Sequence, residues 1–395
     1  KKRREEDDLK TNRLNDRRAN QDAWLADGEL GLQDADFFTK CSEKVSLCED
    51  VDGDGYADRR KVVADGFNNV LDGAAAGVLV RGDDLYFANI PSIWKLSDTN
   101  DDDVSDRREE LSRGYGVRTG WYGHDLHGLT WGPDGRLYFS IADRGFDVKS
   151  QEGKVFHGPN TGAVFRCWAD GSQLELVAQG LRNPQELAFD ELGYLFTGDN
   201  NCDAGDRARL VYVVEGGDSG WRVSVQSLAD RGPWKSEAMW EMPREEEALQ
   251  PAWMLPPVAH INSGPSGLAH YPGVGLPEAF GDYFFLCDYR GGRGSLQAFR
   301  VEMAGASFVM RGHHTFHDGP AVSDVCFGYD GRIYLSEWGP GWGISPEAKI
   351  YTLAHTASQE TEVVGEVQSW FHRGLDRFSS SRLAELLSHR DQRVR

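Results

Sequence analysis

Cysteine is scarce in this 395-residue sequence: six residues, at positions 41, 48, 167, 202, 287 and 326, none in a C-x-x-C, a C-x-x-C-H or a mixed Cys/His zinc spacing. Covalent haem attachment and structural zinc therefore have no support. Cys287 and Cys326 stand in apolar strand-like runs and read as buried thiols, whereas Cys41 and Cys48 could bridge if they lie on neighbouring strands in an oxidising compartment. Basic residues are also in deficit, 43 Lys and Arg against 63 Asp and Glu, for a net charge of −20. Such a balance argues against a broad basic surface for nucleic acid or an anionic membrane and suggests bound cations instead. No apolar run approaches the ~20 residues needed to cross a bilayer, so no transmembrane segment is expected, and no signal-peptide pattern is present.

What the chain has in abundance is glycine and aromatics: 46 Gly, 12 Trp, 13 Tyr and 19 Phe. That composition suits many short strands joined by tight turns, an all-β class. One unit recurs, an apolar strand, a Gly/Asp turn and an aromatic strand: GVLVRGDDLYFA (77–88), GLTWGPDGRLYFS (128–140), ELAFDELGYLFTG (186–198), GLAHYPG with FGDYFFLCDY (267–289) and VCFGYDGRIYLSE (325–337). Outer strands follow each copy, and further strand-like segments near the N-terminus need inner partners. Radial repetition of this kind predicts a six-bladed β-propeller over 37–355, with 38–66 completing the last blade. Residues 1–36 form a charged arm too poor in apolar residues to bury a face. Residues 231–262 are a Trp- and Pro-rich insertion between blades. Residues 356–395 have helical spacing, with Ser380 or Ser381 a candidate cap, and read as the opening of a helical repeat.

Chemistry concentrates in WYGHDLHGLTWGPDGRLYFSIADRG (121–145). Strand, tight turn and strand place the two outer ends of the hairpin side by side, with His124 and His127 at one and Asp143 and Arg144 at the other. An imidazole beside a carboxylate has a fixed tautomer and is strengthened as a general base. GLRNPQELAFD (180–190) brings together Arg182, Asn183 and Gln185, a guanidinium and two amides able to make fixed hydrogen bonds. Two acidic turns carry spacing of the EF-hand kind. In 98–109 the ligand offsets fall on Asp98, Asn100, Asp102, Asp106 and Glu109; in 50–61 they fall on Asp50, Asp52, Asp54 and Asp58, with Lys61 where a bidentate Glu should stand. The 98–109 turn is therefore expected to bind calcium better. The histidines of GHHTFH (312–317) are not read as a metal site, because strand alternation sends neighbours to opposite faces.

These motifs resemble those of the soluble quinoprotein glucose dehydrogenases and their sugar dehydrogenase relatives. Their order is most similar to the membrane-bound dehydrogenase domain that precedes helical repeats and a cytochrome c module in larger proteins, and the resemblance covers 37–395. It implies a sugar or polyol dehydrogenase that passes hydride to pyrroloquinoline quinone (PQQ). His124 falls on the base, with His127 the runner-up, and Asp143 falls on its carboxylate partner. Arg182, Asn183, Gln185, Arg290 and Arg293 fall on cofactor-binding positions. Asp199, Asn200, Asn201 and Asp206 become candidate ligands of a cofactor calcium. An electron acceptor such as a cytochrome c from another chain or domain, and an extracytoplasmic location, periplasmic or secreted, follow from the same resemblance. The alternative is a non-catalytic, calcium-stabilised propeller that binds glycan or a protein partner.

Overall fold

A computed structural model describes residues 39, 42–116, 123–201, 207–222, 255–261, 264–339, 349–375 and 377–395. The repeated hairpins form as their turns dictate. In GPDG, Gly132 donates its amide to Arg136 O and Asp134 Oδ1 accepts from Arg136 N at 3.1 Å, while Tyr138 reaches back to Asp134 Oδ2 at 3.0 Å. GYDG repeats this chemistry, with Asp330 Oδ1 accepting from Arg332 N at 3.1 Å and Tyr334 donating to Asp330 Oδ2 at 2.9 Å. Asp side chains of this kind mimic a backbone turn and fix the register of the strands they join.

The hairpins grow into antiparallel sheets in chain order. Blade 1 comprises Ala75–Arg81, Asp84–Asn89, Ser92–Ser97 and Arg107–Arg113; blade 2 comprises Leu126–Trp131, Leu137–Ile141, Gly162–Cys167 and Glu175–Leu181, with Gly217–Asp218 added in parallel at its outer edge. Blade 3 is Pro184–Phe189, Leu195–Asp199, Arg209–Tyr212 and Ala259–His260; blade 4 is Pro265–His270, Tyr283–Tyr289, Gly294–Ala304 and Ser307–Gly319; blade 5 is Val322–Phe327, Ile333–Glu337 and Lys349–Leu353. The first strand of each is innermost, and these inner strands neighbour one another in sequence order. The core lies between blades. Tyr86, Phe139 and Phe165 pack between blades 1 and 2, Phe196 and Phe284 between 3 and 4, and Phe285 and Leu335 between 4 and 5.

The all-β propeller reading holds, but there are five blades among the described residues, not six. The hairpin Glu43–Glu49/Arg59–Phe67, expected to complete the last blade, pairs only with itself. Its strands carry one short apolar row: Val45, Ala64 and Phe67 pack on Phe87 and Leu96 of blade 1, while Glu43, Lys44, Arg59 and Arg60 are exposed. Leu47 and Val62 are exposed as well, so the hairpin is not covered on both faces as a strand inside a blade is. A cavity of about 620 Å³ runs between the inner strands and this hairpin.

After blade 5 come helices α1 (Thr356–Gln359), α2 (Glu362–Arg373) and α3 (Ser380–Leu386). Helix α2 buries Val364, Val367 and Trp370, which pack with Val274 of blade 4. The cap of α3 is Ser379, whose Oγ accepts from Arg382 N at 3.3 Å, one residue before Ser380 and two before Ser381, the expected candidates. None of the described helices is long and apolar enough to cross a membrane. Residues 390–395 then tie three blades together. Gln392 donates its amide to Pro272 O at 2.7 Å and its Nε2 to Asp190 O at 3.1 Å, and shares a 3.0 Å bond with His270 Nδ1. Arg393 donates to Phe327 O at 2.8 Å and stacks 4.7 Å from the Tyr329 ring centre. Gly273, at φ +110°, lets the tail approach, since a Cβ there would overlap the Arg390 carbonyl. Gly273→Ala is therefore expected to cost roughly 1–3 kcal/mol in urea unfolding through strain and a lifted tail. A midpoint equal to wild type would show that the tail adds nothing to the ring.

Candidate functional site

The second strand of every blade runs out toward the same face and ends within two residues of an acid or amide: Asn89, Asp143, Asp199, Asp288 and Glu337. In three blades this group ties down the loop that feeds the inner strand. Asn89 Nδ2 donates to Gly73 O at 3.2 Å, Asp199 Oδ1 accepts from Arg182 N at 3.0 Å and Asn183 N at 2.7 Å, and Asp288 Oδ1 accepts from Gly264 N at 3.0 Å. Blade 2 departs from the device. There the carboxylate takes an imidazole: His124 Nδ1 lies 2.8 Å from Asp143 Oδ1, with His124 4% and Asp143 0% exposed. An Nδ1 held by a carboxylate leaves Nε2 as the nitrogen with a lone pair, the form a general base requires.

His127 has the opposite character. Its Nδ1 lies 2.7 Å from the Gln185 carbonyl, which only accepts, so Nδ1 carries the proton; its Nε2 accepts from Asp125 N at 3.2 Å. Both nitrogens are thus committed to the backbone. Burial lowers its pKa to about 4, against the opposing pull of the Asp125 charge, and the ring is neutral. His127 is a structural pin between blades 2 and 3, not a base. Asp125 in turn forms a buried ion pair with Arg144 at 2.7 Å.

The residues expected to hold a cofactor divide. Arg182 is 2% exposed; its backbone carbonyl accepts from Asp143 N at 2.7 Å and its guanidinium donates to Asn201 O. Asn183, 1% exposed, makes no side-chain hydrogen bond, and its Oδ1 is a buried acceptor without a partner. Gln185 gives its Nε2 to Gly123 O at 2.9 Å and so holds the loop that carries His124. Arg290 pairs with Asp288 at 2.9 Å and reaches Ser295 Oγ at 3.2 Å, while Arg293 is exposed. Asp199 is fully buried and bound by Arg209 as well as by two amides, which makes it a structural acceptor. Asn200 and Asn201 follow it at the same face, and Asp206 lies outside the described residues.

Trp221 escaped the sequence reading. Its indole Nε1 donates to Asp143 Oδ2 at 3.2 Å, and the Arg182 guanidinium lies 5.8 Å from its ring centre. The available signal was a tryptophan closing the turn-rich stretch GGDSGW.

The two acidic turns differ in geometry. One carboxylate oxygen each from Asp50, Asp52 and Asp58 lie within 4.8 Å of one another. In the 98–109 turn, Asp98 accepts from three backbone amides and Asp106 from Thr99 Oγ1 at 2.9 Å. Glu109 has left the turn for blade 1, opposite Lys95 and paired with Arg107 at 3.2 Å. Lys61, from the neighbouring hairpin, lies 3.6 Å from Asp103 and binds Asp102 O. His313 and His314 face opposite sides of their strand, toward Phe299 and Phe280 respectively.

The fold is that of the glucose dehydrogenase β-propellers. An oxidoreductase of Thermus thermophilus described as a glucose dehydrogenase superposes with a TM-score of 0.51 and 17% identity over 75% of this chain and 88% of that one. A second glucose dehydrogenase gives 0.52 and 17% over 72% and 82%. The PQQ-bound aldose sugar dehydrogenase of Streptomyces coelicolor gives 0.49 and 18% over 75% and 85%. By sequence, the chain belongs to the family described as a domain of unknown function, DUF7133, whose model matches residues 23–292. No curated protein sequence matches it.

Proposed function

We propose that the chain is a quinoprotein-like oxidoreductase that oxidises a hydroxyl of a sugar or polyol. The observation that carries this reading is the buried His124–Asp143 pair, in which an imidazole takes the carboxylate oxygen that in Asp199 and Asp288 accepts a backbone amide. Asp143 holds His124 in the tautomer that presents Nε2, and Nε2 removes the hydroxyl proton. The surrounding residues fit PQQ in kind: the unpartnered Asn183 carboxamide supplies a polar contact, and the Arg182 guanidinium supplies buried positive charge for a tricarboxylate. PQQ, when bound, supplies the hydride acceptor. Arg290, which pairs with Asp288, and the exposed Arg293 are further cofactor candidates on the strength of the resemblance. Electrons leave to an acceptor such as a cytochrome c, in an extracytoplasmic setting.

The experiment is reconstitution of the purified chain with calcium and PQQ, followed by a screen of sugars and polyols with an artificial electron acceptor. Turnover that depends on quinone supports the reading. Absence of both turnover and quinone affinity favours a non-catalytic propeller that binds glycan or protein, a reading to which the near-complete burial of His124 gives weight.

We also assign calcium to the turn of Asp50, Asp52, Asp54 and Asp58, on the strength of the three converging carboxylates. Oxygen ligands of this kind suit calcium, and an ion bound only by the folded state raises stability by mass action. Chelation should lower the melting temperature of the wild type and leave an Asp50→Asn/Asp52→Asn variant unmoved. Equal responses in both would remove the ion from this turn.

A further inference from the structure

We propose that Trp221 is a positioning residue for the His124–Asp143 pair, an inference that rests on the catalytic reading above. The carboxylate of Asp143 is 0% exposed, so each of its oxygens needs a donor. Oδ1 takes His124 Nδ1 at 2.8 Å, and Oδ2 takes the Trp221 indole N–H at 3.2 Å. With Oδ2 held, the carboxylate cannot rotate about its Cβ–Cγ bond without breaking a bond in a site closed to water. Oδ1 therefore stays on the imidazole.

The two donors arrive from opposite edges of blade 2, which is why the arrangement is rigid. His124 enters from the loop before the inner strand. Trp221 enters from the outer edge, where Gly217–Asp218 adds in parallel to Glu175–Leu181, Ser219 N donates to Gln179 O at 3.1 Å and Trp221 N donates to Gly180 O at 2.9 Å. Gly180, at φ +79°, permits this approach: a Cβ there would overlap the Asp218 carboxylate and the Gly220 amide. The indole ring, 1% exposed, also underlies the Arg182 guanidinium, so one side chain touches both the base's partner and the leading cofactor candidate. Among the described residues, the charged and titratable groups near the pair include His127, the Arg144–Asp125 ion pair and Arg182.

A donor aimed at the carboxylate makes the pair less basic, so its removal raises the proton affinity of the pair as a whole. In Trp221→Phe, which keeps a ring beneath Arg182, the midpoint followed by His124 imidazole NMR should rise relative to wild type. The acid limb of the kcat/KM profile of the loaded enzyme should move by the same amount, with kcat lowered more than KM is changed. In the wild type labelled with ¹⁵N-tryptophan, the Trp221 indole resonance should titrate with the His124 midpoint, a measurement that does not depend on any variant folding. An indole resonance indifferent to that titration, or an unshifted His124 in a folded Trp221→Phe, overturns the proposal. Both NMR readouts use the chain without quinone. A titrating indole in a protein without turnover would keep the positioning role and end the dehydrogenase reading, whereas turnover with an indifferent indole would do the reverse.

Discussion

Alanine at His124 is expected to lower turnover of the quinone- and calcium-loaded chain by ~10²–10⁴-fold, the usual contribution of a positioned general base. Quinone affinity should be largely unchanged, because His124 Nδ1 is committed to Asp143. Arg182→Ala should do the converse and weaken the quinone by removing a buried guanidinium. The pair of variants separates chemistry from binding. Undiminished turnover in His124→Ala would end the assignment of the base, since His127 offers no substitute.

His127→Ala is the control, and its effect should fall on stability. The folded pKa of about 4 lies below the free value of 6.5. A neutral imidazole thus stabilises the fold fully above pH 6.5, and that contribution is lost as pH falls through 4. Wild type should approach the variant in stability toward pH 4, by thermal unfolding across that range.

Much of the ring was legible because each blade repeats one local device. A Gly/Asp turn between an apolar and an aromatic strand fixes its own register, and the Asp134–Tyr138 and Asp330–Tyr334 bonds are spaced alike in sequence and in space. Blade count was not legible, because ring closure is decided by which strands meet at a distance. The strands of 43–67 alternate like outer strands of a blade, yet their charge leaves them with a single apolar row and a place on the flank of blade 1. The His124–Asp143 contact could be read because a hairpin brings its own ends together. Trp221 could not, since its bond to Asp143 spans 78 positions and depends on an outer strand of only two residues. The difference between the acidic turns was not legible because it depends on register: pairing opposite Lys95 draws Glu109 into a strand, and Lys61 comes from another hairpin to lie beside Asp103.

Asp199→Ala is expected to be the most destabilising single substitution at this face, by roughly 3–5 kcal/mol, the cost of breaking a buried ion pair from one side. Asp199 is 0% exposed and gathers the Arg182 and Asn183 amides on Oδ1 and the Arg209 guanidinium on Oδ2. Arg209 is 3% exposed, so its charge loses this carboxylate in a place water does not reach. Asp199→Asn keeps an acceptor for the amides and gives up the charge, and should fall between alanine and wild type in urea unfolding. Because the same amides seat Arg182 and Asn183, any alanine variant that remains folded should bind quinone less tightly. The His124–Asp143 bond, built on blade 2 and braced by Trp221, should persist in its imidazole NMR signature. An alanine variant within about 1 kcal/mol of wild type, the scale of a typical surface change, would remove Asp199 from the framework. If chelation then destabilised the wild type but not that variant, Asp199 would be a metal ligand instead.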